Sequence, residues 1–234
     1  MAEKYFRGET LIMVRVNIVV EGQTEIAFVK ELLVPPFSNL GIYLYPSLIG
    51  KPGHKGGILP YKRTKRDIIV FLKQQRDTFC TTMFDYYGLP NDFPGLPITG
   101  NYETIQKAEI VEQAIKQDIM QTLEYSINPD RFIPYIQIHE FEALLFSDPQ
   151  ALAKSIYRSD LASEFERVRT TFHSPEDIDD NPNTAPSKRI KNICTDYIKT
   201  IHGILAAIEI GLPKIRSECL HFDQWLMKLE TLRL

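Results

Sequence analysis

From Met13 to Val20 nearly every position is apolar, with Val and Ile predominating, and such a run predicts a strand covered on both faces in a parallel sheet. Ile26, Phe28, Val29, Leu32 and Leu33 then recur at helical spacing, and Pro35-Pro36 is expected to end that helix. Ile42 to Leu48 reads as a second strand, Lys62 to Gln75 as a helix, and Thr78 to Phe84 as a third strand that ends on Asp85. Asn91 to Asn101 is a Pro/Gly loop, Glu103 to Leu123 has helical character, and Phe132 to Ile138 predicts a fourth strand running into His139-Glu140-Phe141-Glu142. Strands alternating with helices, joined by right-handed crossovers, give the α/β class: a parallel sheet flanked by helices, with ligands at the carboxyl edge of the strands.

After Pro149 the pattern turns helical. Leu161 to Phe172 predicts one helix, His173 to Pro186 an acidic loop, and Ile190 to Ile210 a single longer helix closed by Gly211 and Pro213. Leu220, Trp225, Leu226 and Leu229 mark a last amphipathic helix, with Trp225 as a core anchor. Residues Met1 to Thr10 are polar and aperiodic, which reads as a loose tail or vector remnant and makes Met13 a candidate native start. The expected organisation is therefore a tail over 1–12, an α/β domain over 13–149 and a helical extension over 150–234 packed on that core.

An apolar content of 44% with 24% charged residues describes an ordinary folded chain and argues against wholesale disorder. The net charge of −3 offers no global attraction for nucleic acid, so such binding needs a local basic patch. No stretch approaches the roughly 20 apolar residues of a membrane span. Leu11 to Val20 is interrupted by Arg15 and Asn17 and lacks a cleavage site, so a cytoplasmic protein is expected. Cys80, Cys194 and Cys219 share no paired spacing and fit reduced thiols, Cys80 as a core residue.

The chemistry is concentrated where strands end. In Val20-Glu21-Gly22-Gln23-Thr24-Glu25 an apolar strand stops on an acid and a glycine and a helix begins at once. A carboxylate buried there without a partner costs several kcal/mol, so a cation is expected beside it, with a divalent metal ion the leading candidate. Asp85, Glu140 and Glu142 follow later strands, so Glu21, Glu25, Asp85, Glu140 and Glu142 are the candidate ligands of Mg2+ or Mn2+. Strand alternation would put Glu140 and Glu142 on one face; a helix starting at Glu140 would leave only one acid facing the site. Each acid has a plainer reading too: a strand-end turn for Glu21, a first-turn helix acid for Glu25, a turn-initiating Asp85 before Tyr86-Tyr87-Gly88.

Lys188 and Arg189 open a helix, where the dipole does not favour basic residues, and could hold a phosphate or be ion-paired surface. The glycine-rich loop with Lys51, His54 and Lys55, continued by Lys62, Arg63, Lys65 and Arg66, is the conspicuous basic concentration, either a nucleic-acid contact or a solvated face. His139 lacks the second histidine of an HExxH zinc helix and reads as a packed or supporting residue. There is no Walker phosphate loop and no GxGxxG turn, so ATP-driven chemistry in this chain is not expected.

The segment Val20-Glu21-Gly22-Gln23-Thr24-Glu25 resembles the first motif of Toprim domains, the fold of primases, topoisomerases and OLD-type nucleases. With Gly53-His54-Lys55-Gly56-Gly57, Phe84-Asp85-Tyr86-Tyr87-Gly88, His139-Glu140-Phe141-Glu142-Ala143-Leu144 and Thr184-Ala185-Pro186-Ser187-Lys188-Arg189, the chain resembles the bacterial family called domain of unknown function 4276, from about Val14 to the C-terminal helices. The Toprim resemblance implies acid/base or metal-binding work for Glu21, a second acid at Glu25, and the first Asp of an Asp-x-Asp metal motif at Asp85. Tyr87 stands where the second Asp belongs. Either Glu140 or Glu142 replaces it, or the site holds fewer ions, or catalysis has been lost.

The resulting expectation is a Toprim-like, divalent-metal-dependent nuclease acting on DNA or RNA, with Glu21 and Lys188 in catalysis and Lys51, His54, Lys55, Arg63 and Arg189 on the nucleic acid. Resemblance to OLD-type nucleases, which join Toprim to an ATPase, implies a separate ATPase partner and a role in antiphage defence. The alternatives are a degenerate Toprim module that binds an ATPase or nucleic acid, and a phosphohydrolase of small nucleotides.

Overall fold

The computed structural model describes residues 13–49, 57, 60–74, 77–178 and 184–232. The expected tail over 1–12 and the loop residues Lys51, His54 and Lys55 lie outside these residues.

The chain is an α/β protein: a parallel sheet flanked by helices, followed by a helical C-terminal region. Strands β1 (Val14–Val20), β2 (Ile42–Leu48), β3 (Thr78–Asp85), β4 (Phe132–Ile133) and β5 (Ile136–Gln137) pair in the order β2-β1-β3-β4, with β5 also beside β3, and every pairing is parallel. All eight residues of β3 are buried, as a central parallel strand requires. Side-chain alternation divides β1 between two cores. Val14, Val16, Ile18 and Val20 face one of them, with Phe28, Leu33 and the C-terminal helices. Val19 faces the other, with Cys80, Phe84, Ile68 and Leu72 of α3 (Tyr61–Gln74), and Val111 and Ile115 of α4 (Thr104–Thr122).

Three expectations are corrected. Pro35-Pro36 does not end the first helix: α1 (Gln23–Phe28) passes through a π-helical turn, Val29–Leu33, into α2 (Val34–Asn39). The amide of Val34 reaches back to Val29 O, and this widened turn lets the prolines, which have no amide hydrogen, occupy the first positions of α2. The fourth strand is split by Pro134-Tyr135. There the Thr82 hydroxyl takes the place of the ladder, accepting from Tyr135 N at 2.9 Å and donating to Tyr135 O at 2.9 Å.

The third correction matters most for function. Ile190 to Ile210 is not one helix: α7 (Pro186–Ile193) stops, Cys194 to Ile198 is irregular, and the chain resumes as a π-helical turn, Lys199–Gly203, leading into α8 (Ile204–Ile210). The break lets Tyr197 and Lys199 point into the molecule.

Helices α5 (Pro149–Ser155), α6 (Ala162–Thr170), α9 (Leu212–Glu218) and α10 (Leu220–Glu230) complete the C-terminal region. Trp225 of α10 stacks on Tyr135 at 4.3 Å and donates to Thr81 Oγ1 on β3 at 2.9 Å. The expected acidic loop supplies Glu176, 1% exposed, whose two oxygens accept the first amides of α10 from His221 at 2.9 Å and Phe222 at 3.0 Å. These contacts bind the C-terminal helices to the sheet through one continuous core. No described helix is long and apolar enough to cross a membrane.

Thr82→Val keeps the side-chain volume but leaves the Tyr135 amide and carbonyl without partners. A loss of about 2 kcal/mol is expected in urea denaturation, with an unchanged m-value.

Candidate metal centre

Register builds the site. Val20 pairs with Met83, so Glu21, the residue after β1, leaves the sheet beside the last residues of β3, where Asp85 ends the strand. Glu25 stands one turn into α1 and comes back over the same edge. Among the described residues, Glu21, Glu25 and Asp85 form a cluster whose ligand oxygens all lie within 4.8 Å of one another. Glu25 is 2% exposed and Asp85 5% exposed, while Glu21 is half-buried and opens the cluster to solvent.

Two glycines lie against the tips of the acids. A Cβ on Gly22 would lie 2.7 Å from Glu25 Oε2, and one on Gly88 would lie 3.0 Å from Glu21 Oε2. Even a methyl group at Gly22 therefore pushes an acid out of the cluster.

Sequence reading missed the cation. Lys199 Nζ lies 3.1 Å from Glu142 Oε2, 3.3 Å from Asp85 Oδ2 and 3.7 Å from Glu25 Oε1. Burial works against its charge, but Asp85, Glu142, Glu25 and Glu21 outweigh burial and its pKa is raised. The magnitudes explain the outcome: a unit pair 4 Å apart gains about 4 kcal/mol at an effective dielectric of about 20, so several such contacts exceed the desolvation of one ammonium. The signal available in the sequence was Thr195-Asp196-Tyr197, weak helix formers inside an otherwise helical pattern.

The acids are strongly perturbed. Burial first, then the charges of Asp85 and Glu25 and a hydrogen bond with Asp85, push Glu21 up to about 10. Burial and Asp85 likewise raise Glu25, against the lowering effect of Lys199. Asp85 also accepts the Phe141 amide at Oδ1, 2.8 Å away, which ties the end of β3 to the segment after β5.

Glu140 and Glu142 do not share a face. Glu140 precedes a 3-10 helix, Phe141–Ser147, and accepts the Ser187 amide at 3.0 Å, so its carboxylate engages the first turn of α7. Glu142 is completely buried and directed to Lys199. This is the outcome expected if a helix begins at Glu140.

Of the basic candidates, Lys188 is exposed on α7, whereas Arg189 donates to Thr184 O at 2.9 Å and lies over the Phe172 ring. Arg63 pairs with Asp67 at 3.4 Å one turn along α3. Gly57 donates its amide to Glu21 O at 2.9 Å. His139 is buried in a left-handed conformation, φ 58°, with its ring 5.1 Å from that of Tyr87.

The donor set suits a hard divalent ion: three convergent carboxyls, with Glu25 Oε1 buried and accepting no hydrogen bond. Two or three protein carboxylates suffice for magnesium, which keeps several of its waters.

These features define a parallel α/β protein with carboxyls gathered at the carboxyl edge of its sheet. The chain belongs to the family described as Domain of unknown function (DUF4276), whose model matches residues 20–230. No curated protein matches it. A solved structure similar over its length is the C-terminal region of the Xanthomonas campestris pv. campestris OLD protein, at 14% identity and a TM-score of 0.36, covering 93% of this chain and 98% of that one. At that distance the likeness carries no functional assignment.

Two outcomes are expected. Because Glu21 is raised in the folded state, the unfolded chain binds fewer protons between about pH 4.5 and about pH 10, so this residue makes stability fall as pH rises across that window. Glu21→Gln should flatten the fall by up to about 1.4 kcal/mol per pH unit in metal-free protein, measured by urea denaturation at several pH values. Manganese, by contrast, requires the ionised acids. Calorimetry should show affinity rising with pH and protons released on binding, and Glu25→Gln or Gly22→Ala should weaken binding about tenfold or more.

Proposed function

We propose that this protein is a Toprim-like, divalent-metal-dependent nuclease that hydrolyses phosphodiesters of DNA or RNA. The observation that carries the reading is the meeting of Glu21, Glu25 and Asp85 within 4.8 Å at the carboxyl edge of a parallel sheet, with Lys199 against them. Glu21, Glu25 and Asp85 would hold Mg2+ or Mn2+, which when bound supplies an activated water and Lewis-acid neutralisation of the phosphodiester.

The chain's own groups do the rest. Glu21 is the half-buried acid at the open side of the cluster, so it is the carboxylate that an incoming phosphodiester and its attacking water would meet first. The acids around Lys199 favour its charged form, and an ammonium in a partly desolvated site stabilises charge that develops on a phosphate oxygen. Lys188, exposed on the helix whose first turn is held by Glu140, offers a further positive charge to the strand. A separate ATPase partner and a defence role belong to the proposal by resemblance alone, and a cytoplasmic location belongs to it from the sequence reading.

The test incubates the chain with plasmid, single-stranded DNA, RNA and free nucleotides in manganese, magnesium or EDTA. Cleavage of a polymer in either metal and none in EDTA is expected. Asp85→Asn should abolish it, and Lys199→Met should lower kcat about 100-fold. Turnover of free nucleotides alone would replace the nuclease with a phosphohydrolase.

A further inference from the structure

We propose that Glu142 is a positioning residue that anchors the Lys199 ammonium at the carboxylate cluster and is not a ligand of the metal; the inference rests on the nuclease reading for the purpose it gives Lys199. Three observations carry it. Glu142 is 0% exposed and lies outside the set of acids whose oxygens converge within 4.8 Å. Its Oε2 makes the shortest of the contacts to Lys199 Nζ, 3.1 Å against 3.3 Å for Asp85 and 3.7 Å for Glu25. Both of its oxygens are closed off from solvent, and the Lys199 ammonium and the Tyr197 hydroxyl lie against the carboxylate. A fully buried carboxylate in that condition costs several kcal/mol, and Lys199 is the cation that offsets the cost.

The division of labour follows from which acids are shared. Asp85 and Glu25 belong both to the converging set and to the lysine's contacts, so a divalent ion competes with Lys199 for their oxygens. Glu142 belongs to the lysine alone. When the ion takes Asp85 and Glu25, Glu142 retains the ammonium beside the site, where it faces the substrate phosphate. Phe141 lies 5.9 Å from the ammonium, and the Ile198 amide donates to His202 Nδ1 at 2.9 Å at the start of the turn from which the lysine projects.

The experiment compares Glu142→Gln, Lys199→Met, the double variant and Asp85→Asn. Manganese titrated alone into each protein should bind Glu142→Gln with the wild-type stoichiometry and an affinity within roughly threefold, whereas Asp85→Asn should lose more than about tenfold. In cleavage assays Glu142→Gln should lower kcat about 10- to 100-fold with KM nearly unchanged, and the double variant should fall no further than Lys199→Met alone.

In metal-free protein with labelled lysines, the Lys199 ammonium signal, identified by its absence in Lys199→Met, should be slow to exchange in wild type and lost to exchange in Glu142→Gln. Loss of the manganese site in Glu142→Gln, additive kcat losses, or a Lys199 signal that is unchanged would each overturn the proposal. If the wild-type chain cleaves nothing, the nuclease reading fails, while the titration and the lysine signal still decide the role of Glu142. Should Glu142→Gln not fold, Glu142→Asp keeps the charge, shortens its reach and is read in the same way.

Discussion

The structure depends on one buried balance of charge. Glu25, Asp85 and Glu142 are all buried at the carboxyl edge of the sheet, and a single ammonium, from Lys199, stands among them. Lys199 and Asp85 are 114 residues apart in sequence, so the site exists only when the C-terminal region is docked on the sheet. The docking has its own supports at a distance from the acids: Trp225 bonded to Thr81, Tyr135 stacked on Trp225, and Glu176 capping α10. The helical region is therefore a structural part of the site, because it delivers the cation.

That balance is uneven, with more acids than positive charge. The four carboxyls near Lys199 cannot all be ionised against one ammonium at low cost, and the strain appears as the raised pKa of Glu21, Glu25 and Glu142, each displaced upward first by burial. Such a cluster costs stability when its acids ionise, and on the proposed reading a bound divalent ion supplies the missing charge. The same crowding reaches the two glycines at the turns, where a Cβ at Gly22 or Gly88 would displace the tip of an acid.

Much of this was legible in the chain because strand endings are legible. Periodicity located β1, β2, β3 and the helices between them, and acids immediately after β1 and at the end of β3 must meet once the two strands pair in parallel. What was not legible involved departures from periodicity. Lys199 was hidden because Ile190, Ile193, Ile198, Ile201 and Ile204 suggest one continuous helix, whereas the folded chain breaks after Ile193 and turns Lys199 inward. Pro35-Pro36 signalled a stop that a π-turn bypassed, and Pro134 interrupted a strand whose hydrogen bonds a threonine replaced.

The acids after β5 were the hardest to place, since their roles turn on whether the strand continues for two more residues. It does not. Tyr87, which the Toprim resemblance sets in place of a second metal-binding Asp, uses its amide to bond His139 O at 3.1 Å and sets its ring near that of His139, so the end of β3 is tied to the turn that begins the 3-10 helix. That turn separates Glu140, which goes to α7, from Glu142, which goes to Lys199. On the proposed reading, with both diverted, Glu21, Glu25 and Asp85 are the acids that would hold an ion, and three carboxyls with several retained waters match one magnesium better than two. On the proposed reading, the positive charge that a second ion would bring to the phosphate comes instead from Lys199, and the loss of one acid at Tyr87 and the presence of an anchored lysine are two sides of the same design.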